Sequence, residues 1–142
     1  MGQKLIMEGS ILLDTDVLVE FLRGHSKAVA FVNAHSARII LSSIVVAELY
    51  AGVKGEAEHI ALDNFVSLFH VVPVSAEIAK AGGLYKRDYG KSHGVGLADA
   101  ILAATAEAEN AKLKTLNRKH YPMLKDLCRL TRNKERYVRR KN

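Results

Sequence analysis

Short apolar runs alternate with amphipathic stretches along most of the chain. Residues 11–13, Ile-Leu-Leu, stand between Ser10 and Asp14 and are typical of a strand buried on both faces. Residues 15–23 carry apolar side chains at helical spacing and end at Gly24, which predicts a helix. The alternation then continues, with strands predicted at 38–41, 70–74, 112–115 and 127–130, helices at 26–35, 44–53, 57–69, 75–85, 97–110 and 119–125, and a loop at 90–96.

This alternation predicts parallel strands joined by right-handed helical crossovers. The expected fold is therefore α/β, a three-layer α/β/α sandwich around a central parallel sheet. We expect residues 11–130 to form the domain, with an N-terminal extension at 1–10 and a basic C-terminal tail at 131–142. Ligands of such folds bind beyond the carboxyl ends of the strands, so the search for a site begins there.

Composition narrows the class of protein. The 142 residues, 49% of them hydrophobic, suit one globular domain with a sizeable core. No run approaches the roughly 20 apolar residues that a membrane span needs, and residues 1–11 lack the apolar segment of a secretory signal. The single cysteine, Cys128, excludes an internal disulfide and a cysteine zinc cluster, and we expect it in the core of the last strand. We therefore expect a cytoplasmic protein with no membrane association.

Charge is distributed unevenly within the net value of +6. Residues 118–142 hold ten Lys or Arg against two acidic residues, a net charge of +8, whereas residues 1–117 carry a net charge of −2. A basic end of this kind suits a polyanion such as RNA or DNA, and it equally suits a solvated tail that keeps the protein soluble.

Three carboxylates stand in apolar surroundings. Asp14 follows the first strand directly, while Glu48 and Asp99 are isolated acids within apolar helical stretches. Each has a structural explanation, because Asp14 can cap a helix, Asp99 can interact with a helix dipole, and Glu48 can face solvent or pair with a distant lysine. Their shared position at the carboxyl side of the sheet favours a joint role. Converging carboxylates repel one another, and a divalent cation with oxygen ligands, Mg²⁺ or Mn²⁺, removes that repulsion.

Four segments, in this order and spacing, resemble the successive blocks of a PIN-domain ribonuclease of the VapC toxin type. They are Ile-Leu-Leu-Asp14-Thr15-Asp16-Val-Leu, Ser43-Ile-Val-Val-Ala-Glu48-Leu-Tyr, Leu97-Ala-Asp99-Ala-Ile-Leu-Ala-Ala and Thr115-Leu-Asn117-Arg-Lys-His120-Tyr-Pro. The resemblance covers residues 11–130. It implies a PIN fold, a Mg²⁺-dependent endoribonuclease leaving 5′-phosphate ends, a homodimer, and inhibition by a small cognate antitoxin.

The resemblance also implies roles for particular residues. Asp14, Glu48 and Asp99 match the acidic metal-site positions of the family. Many members carry a fourth acid three residues after the asparagine matched by Asn117, where this chain has His120. We expect Asn117 to orient an acid or a water. His120 can contact phosphate, act in proton transfer or be a surface histidine. Further candidate contacts to the RNA backbone are Arg118, Lys119, Lys86, Arg87 and the basic tail.

Two other functions stay open. Asp14-Thr15-Asp16 after an apolar strand also resembles the nucleophile motif of haloacid-dehalogenase-type phosphatases, although the further acidic pair of that class is missing. The histidine at position 120 is compatible with a non-catalytic PIN-like module that binds RNA or a partner. On either PIN interpretation we expect a partner to dock on apolar grooves near Leu18, Leu22 and Val53. Tyrosines 50, 85, 89 and 121 can stack on bases, and packing is the simpler role for each.

Overall fold

The computed structural model of the chain describes residues 9–124 and the backbone of residues 127–129. Five parallel strands form one sheet in the order β3-β2-β1-β4-β5. The strands are β1 (Ile11–Leu13), β2 (Ile39–Ser42), β3 (His70–Val72), β4 (Lys112–Thr115) and β5 (Leu127–Arg129). The helices are α1 (Thr15–Leu22), α2 (Ser26–His35), α3 (Ser43–Ala51), α4 (Gly55–Val66), α5 (Ala76–His93) and α6 (Leu97–Ala108). The predicted three-layer α/β/α fold is confirmed.

Strand β1 lies at the centre of the sheet, with Leu12 opposite Ile40 of β2 and Leu113 of β4. All three residues of β1 are buried, as expected for a strand covered on both faces. The core around it is built mainly from leucine, valine and alanine side chains of the inner strands and of helices α1, α3 and α6. The sequence turns polar at Asp14, immediately beyond the carboxyl end of this central strand.

Three helices begin at side chains that the sequence marks as caps. Asp14 accepts a hydrogen bond from the backbone N–H of Thr15 at the start of α1, and Ser42 and Ser75 do the same for α3 and α5. These side chains satisfy N–H groups that have no partner inside the helix. Because β1 and β2 lead directly into α1 and α3, the caps fix the direction in which each helix leaves the carboxyl edge of the sheet.

Two local predictions are wrong. Residues 90–96 are not a loop throughout, because α5 continues to His93 and ends only at Gly94, which has a φ of 66°. Tyr85, Tyr89 and His93 share one face of α5, with ring centroids 6.2 Å and 5.7 Å apart, and these contacts extend the helix. The short helix predicted at 119–125 is a single 3₁₀ turn, Arg118–His120, since Pro122 has no N–H to continue it.

Some predictions fall outside the described residues. Residues 1–8 of the predicted extension at 1–10 and the whole predicted tail at 131–142 belong to this group, so the predicted domain boundaries stay predictions. The last strand is present as Leu127–Arg129 and includes the backbone of Cys128, whose side chain is not described. None of the helices in the described ranges combines the length and the apolar character that a membrane crossing requires.

Candidate active site

The carboxylate of Asp14 is held by three donors at the carboxyl edge of the sheet. Its Oδ1 accepts from the backbone N–H of Thr15 at 2.7 Å. Its Oδ2 accepts from the hydroxyls of Thr115 and Tyr121, each at 2.7 Å. The residue is only 7% exposed, so these bonds supply what water supplies at a surface carboxylate. Asp14 therefore combines the predicted helix cap with a fixed position in a buried polar cluster.

Tyr121 connects Asp14 to Asp99. The phenolic oxygen lies 2.7 Å from Asp14 Oδ2 and 3.2 Å from Asp99 Oδ1. Asp99 stands in the first turn of α6, where the helix dipole favours a negative charge. The two carboxylates predicted to meet are thus brought to within 3.2 Å of one buried hydroxyl.

The turn that replaces the predicted short helix also carries His120 and Asn117 into this cluster. His120 Nδ1 lies 3.0 Å from Asp99 Oδ2, and Asn117 Nδ2 lies 3.1 Å from His120 Nε2. The two ring nitrogens of His120 therefore face the Asn117 amide on one side and the Asp99 carboxylate on the other. Asn117 therefore reaches the acid indirectly, by orienting the histidine.

Glu48 lies beside the cluster on α3. Its Oε1 accepts a hydrogen bond from the Thr15 hydroxyl at 2.5 Å. The backbone N–H of the same Thr15 donates to the capping carboxylate of Asp14. The Glu48 side chain is exposed, unlike that of Asp14. Glu48 is thus connected to Asp14 through one threonine rather than by direct contact.

Burial and mutual repulsion shift the ionisation of the central groups. Burial raises the pKa of Asp14, and the charge of Asp99 adds to the effect, against the lowering influence of the Tyr121 and Thr115 hydrogen bonds. Burial and then the charge of Asp14 raise the pKa of Asp16 to about 7. Burial, followed by the charges of Asp14 and Asp99, also raises the pKa of Tyr121, which therefore stays protonated and donates at neutral pH.

The donor set has the chemistry of a hard-cation site, with the oxygen ligands of several neighbouring carboxylates. Asp14 raises the pKa of Asp16, and Asp99 raises the pKa of both, so a nearby cation would relieve repulsion that the protein itself leaves in place. Within the part of the chain that the structure describes, no three His, Cys, Asp or Glu groups already converge tightly enough to enclose an ion. The residues therefore fit a cation that would share its coordination with water or substrate.

Two clefts border the cluster. The first, about 490 Å³, is lined by His93, Arg118, Lys119 and Pro122. Two of the predicted RNA contacts, Arg118 and Lys119, thus line this cleft, and both belong to the same turn as His120. Lys86 instead donates to the backbone oxygen of Val95 at 2.8 Å, and Arg87 pairs with Asp88 at 2.8 Å, so both cations have structural partners.

The second cleft is a groove of about 530 Å³ between α1, α3 and α4. Leu22, Leu49, Val53 and Leu62 form its apolar floor, and Glu48 stands at its edge. Two of the three residues predicted to receive a partner, Leu22 and Val53, line this groove. The third, Leu18, is fully buried in the core and cannot contact a partner, because the interior face of α1 packs against the sheet.

Sequence reasoning missed the hydroxyls that organise the site. Thr115 ends β4 beside Asp14, and its position at the carboxyl end of an inner strand could have suggested it. Tyr121 gave no such signal, because its contact with Asp14 joins residues 107 positions apart. Asp16 lies in the first turn of α1, and its Oδ1 lies 3.5 Å from the backbone nitrogen of Leu116 beside Thr115.

Known proteins resemble this chain both in sequence and in fold. The family model described as PIN domain matches residues 11–123. Ribonuclease VapC19 of Mycobacterium tuberculosis is 38% identical over 120 residues, which span 82% of this chain and 95% of the relative. A toxin-antitoxin complex from Klebsiella pneumoniae contains a chain with a TM-score of 0.75 at 24% identity, covering 86% of this chain and 98% of that one. VapBC2 from Rickettsia felis, bound to a DNA fragment from their promoter, gives a TM-score of 0.68 at 28% identity, covering 84% and 96%.

The chain belongs to the PIN-domain family and is of the VapC type. The resemblance drawn from its four sequence blocks is thereby confirmed. Neither the haloacid-dehalogenase-type phosphatase nor the non-catalytic module is favoured by these relatives.

Proposed function

We propose that the protein is a Mg²⁺-dependent endoribonuclease that hydrolyses RNA phosphodiester bonds and acts in the cytoplasm as the toxin of a toxin-antitoxin pair. The observation that carries the proposal is the Asp14–Tyr121–Asp99 contact at the carboxyl edge of β1, in a chain whose curated relative is named a ribonuclease. A buried carboxylate whose pKa is raised by burial and by a neighbouring acid is an arrangement that a divalent cation stabilises.

Asp14 and Asp99 would hold the cation, with Glu48 reaching it directly or through water. Mg²⁺, or Mn²⁺ in its place, would lower the pKa of an attacking water and offset the negative charge of the scissile phosphate. The three donors on Asp14 keep its carboxylate in one orientation, so little reorganisation is needed when substrate binds. The His120 ring, whose Nδ1 lies 3.0 Å from Asp99 Oδ2, would orient the second carboxylate in the same way.

RNA would approach along the cleft of His93, Arg118 and Lys119. Phosphate contacts from cationic side chains position a nucleic acid without reading its bases. Arg118 and Lys119 directly follow Asn117, in the same 3₁₀ turn as His120. An RNA strand bound to these two cations would therefore pass close to Asp14 and Asp99.

The partner proposal concerns the groove between α1, α3 and α4. A small antitoxin with an apolar helix would fill this groove and would approach Glu48 at its edge. A second copy of the chain is the other expected partner, and light scattering should then give twice the mass of one chain.

The groove is tested with two variants. Val53→Asp in the groove should weaken co-purification with the antitoxin, whereas Leu68→Asp, at a residue 74% exposed and not lining the groove, should not. Equal retention of the antitoxin by both variants would move the docking site elsewhere.

Cleavage chemistry provides the test of the enzyme proposal. Purified, partner-free protein is incubated with structured and single-stranded RNAs in Mg²⁺, in Mn²⁺ and in EDTA, and the ends of the products are analysed. We expect metal-dependent cuts that leave 5′-phosphate and 3′-hydroxyl ends, also at a 2′-deoxy substitution at the cut site, because water and not the 2′-hydroxyl attacks. Cyclic 2′,3′-phosphate ends, or equal cleavage in EDTA, would contradict the proposal. Folded protein that binds the metal and RNA yet never cuts would favour the non-catalytic module.

A further inference from the structure

Tyr121 is the largest fully buried side chain of the described residues, yet it ends in a polar group. A buried phenol normally requires a hydrogen-bond partner. Here the hydroxyl has two, the carboxylates of Asp14 and Asp99. Tyr121 follows the turn Arg118–His120 and belongs neither to the β1–α1 junction with Asp14 nor to α6 with Asp99, so its placement is a separate structural feature that the proposed chemistry has not used.

The two contacts of the hydroxyl are unequal. A phenol has one hydrogen, and the 2.7 Å contact with Asp14 Oδ2 is the better hydrogen bond, while the Asp99 oxygen lies at 3.2 Å. The phenolic oxygen is therefore within hydrogen-bonding distance of both carboxylates and joins Asp14 to Asp99. Without it, Asp14 would keep its bonds to Thr15 and Thr115 and Asp99 its contact with His120, but the hydroxyl that joins the two carboxylates would be lost.

We propose that the Tyr121 hydroxyl is a positioning group that sets the spacing of Asp14 and Asp99 and thereby the affinity of the site for a divalent cation. This inference rests on the proposed function, since it needs those two carboxylates to share a cation. The hydroxyl touches neither substrate nor cation in this role. Hydrogen-bonding partners of metal ligands typically change metal affinity or activity by about 10- to 100-fold when they are removed.

The test compares three tyrosine and threonine variants of the full chain in metal-free buffer. Tyr121→Phe removes only the hydroxyl between the carboxylates. Thr115→Val removes the other hydroxyl on the same Asp14 oxygen, together with the acceptor of the Asn117 N–H, and leaves the Tyr121 contact with Asp99 in place. Tyr85→Phe is the matched control, because its hydroxyl bonds Glu107 outside the cluster. Mn²⁺ affinity is measured by calorimetry, and RNA cleavage is measured as a function of Mn²⁺ concentration.

For Tyr121→Phe we expect the Mn²⁺ dissociation constant, and the Mn²⁺ concentration for half-maximal cleavage, to rise about tenfold. The cleavage rate at saturating Mn²⁺ should return close to the wild-type rate. Thr115→Val should lose less affinity, and Tyr85→Phe none. Thermal unfolding without metal identifies any variant that has lost its fold.

Several results would overturn the inference. Unchanged Mn²⁺ affinity in Tyr121→Phe is one, and an equal loss in Thr115→Val is another, because the connection between the carboxylates would then have no particular effect. If Tyr121→Phe does not fold, Thr115→Val with wild-type or moderately reduced affinity supports the inference, and a tenfold loss there contradicts it. Wild-type protein that binds no Mn²⁺ and cuts no RNA would refute the proposed function and this inference together.

Discussion

Asp14 illustrates how one residue can have a structural and a chemical role at once. Its Oδ1 caps α1, and its Oδ2 receives two hydroxyls from residues far along the chain. The capping role follows from the sequence, because a local pattern of strand, acid and helix defines it. The two long-range bonds do not, since neither Thr115 nor Tyr121 is near Asp14 in sequence. A single sequence therefore predicted the acids better than the neutral groups that orient them.

At the same scale, Asp16 gives the metal-free protein a measurable pH dependence. Its pKa is raised from 3.8 to about 7 in the folded chain, so between these values the folded state holds a proton that the unfolded state has released. The free energy of unfolding should therefore fall as pH rises from about 4 to about 7. Asp16→Asn, which keeps an acceptor oxygen for the Leu116 N–H, should remove this contribution.

Thermal unfolding in EDTA measures this effect. At pH 7.5 we expect Asp16→Asn to be more stable than wild type, by about 1–2 kcal/mol after allowance for solvent screening. At pH 4.5 the two proteins should differ little, because Asp16 is then protonated in the folded state. If Asp16→Asn is less stable than wild type at pH 7.5, the ionised Asp16 carboxylate does not lower the free energy of unfolding, and the prediction is wrong.

Among the secondary-structure elements, prediction succeeded where hydrophobic periodicity was strong and failed where a boundary depended on contacts between side chains. Strands β1 and β4 and helix α6 were predicted within two residues at each end, because their apolar patterns are continuous. The end of α5 was missed because glycines at 90, 94 and 96 suggest a loop. The ring contact between Tyr89 and His93 and the hydrogen bond from Lys86 to the Val95 backbone oxygen instead stabilise the helix up to His93.

Of the two neighbouring glycines in α5, Gly82 and Gly83, only Gly82 is required by close packing. A Cβ on Gly82 would lie 2.8 Å from the Ile101 side chain and 2.9 Å from its backbone Cα, so α5 and α6 approach each other through this residue. Gly83 is the neighbouring residue and has nothing within 4 Å of such a Cβ. Since α6 carries Asp99, this close approach helps to fix the position of the site.

These two glycines form a matched pair for a stability experiment. Gly83→Ala should raise the free energy of unfolding by up to about 1 kcal/mol, the gain in helix propensity. Gly82→Ala should lower it, because a steric cost of about 1–3 kcal/mol exceeds that same gain. Chemical denaturation of both variants measures the difference. Equal stabilisation by both alanines would mean that the helices separate without cost.

For the whole molecule, the uneven charge distribution bears on RNA binding. The described basic cleft lies beside an acidic cluster, and residues 118–142 carry a net charge of +8 whereas the rest of the chain carries −2. If the tail contacts the RNA backbone, binding should release counterions and weaken with salt. Its contribution can be measured separately from chemistry, because it does not require the carboxylates.

Arg139→Gln combined with Arg140→Gln should weaken RNA binding and should flatten the dependence of affinity on salt, by about 0.7 in the log–log slope for each phosphate that the variant no longer neutralises. Lys27→Gln combined with Lys80→Gln is the control, with the same change in charge at exposed helical positions. Fluorescence anisotropy at several salt concentrations, in EDTA, gives both slopes. Identical slopes for the two double variants would indicate a tail that is merely solvated.

The central claim is that Asp14 and Asp99 form a metal-dependent nuclease site, and one comparison tests it most directly. Cleavage of a single RNA is followed for wild type, for Asp99→Asn and for Asp63→Asn, with EDTA and with Mg²⁺ restored. Asp63 is the matched control, since it is an exposed aspartate of α4 that bonds Tyr50 outside the cluster. We expect cleavage by wild type and Asp63→Asn only when Mg²⁺ is present, and at least a hundredfold lower rate for folded Asp99→Asn, about the loss expected when one member of a metal site is removed. Full activity of Asp99→Asn, or activity of wild type in EDTA, would contradict the account.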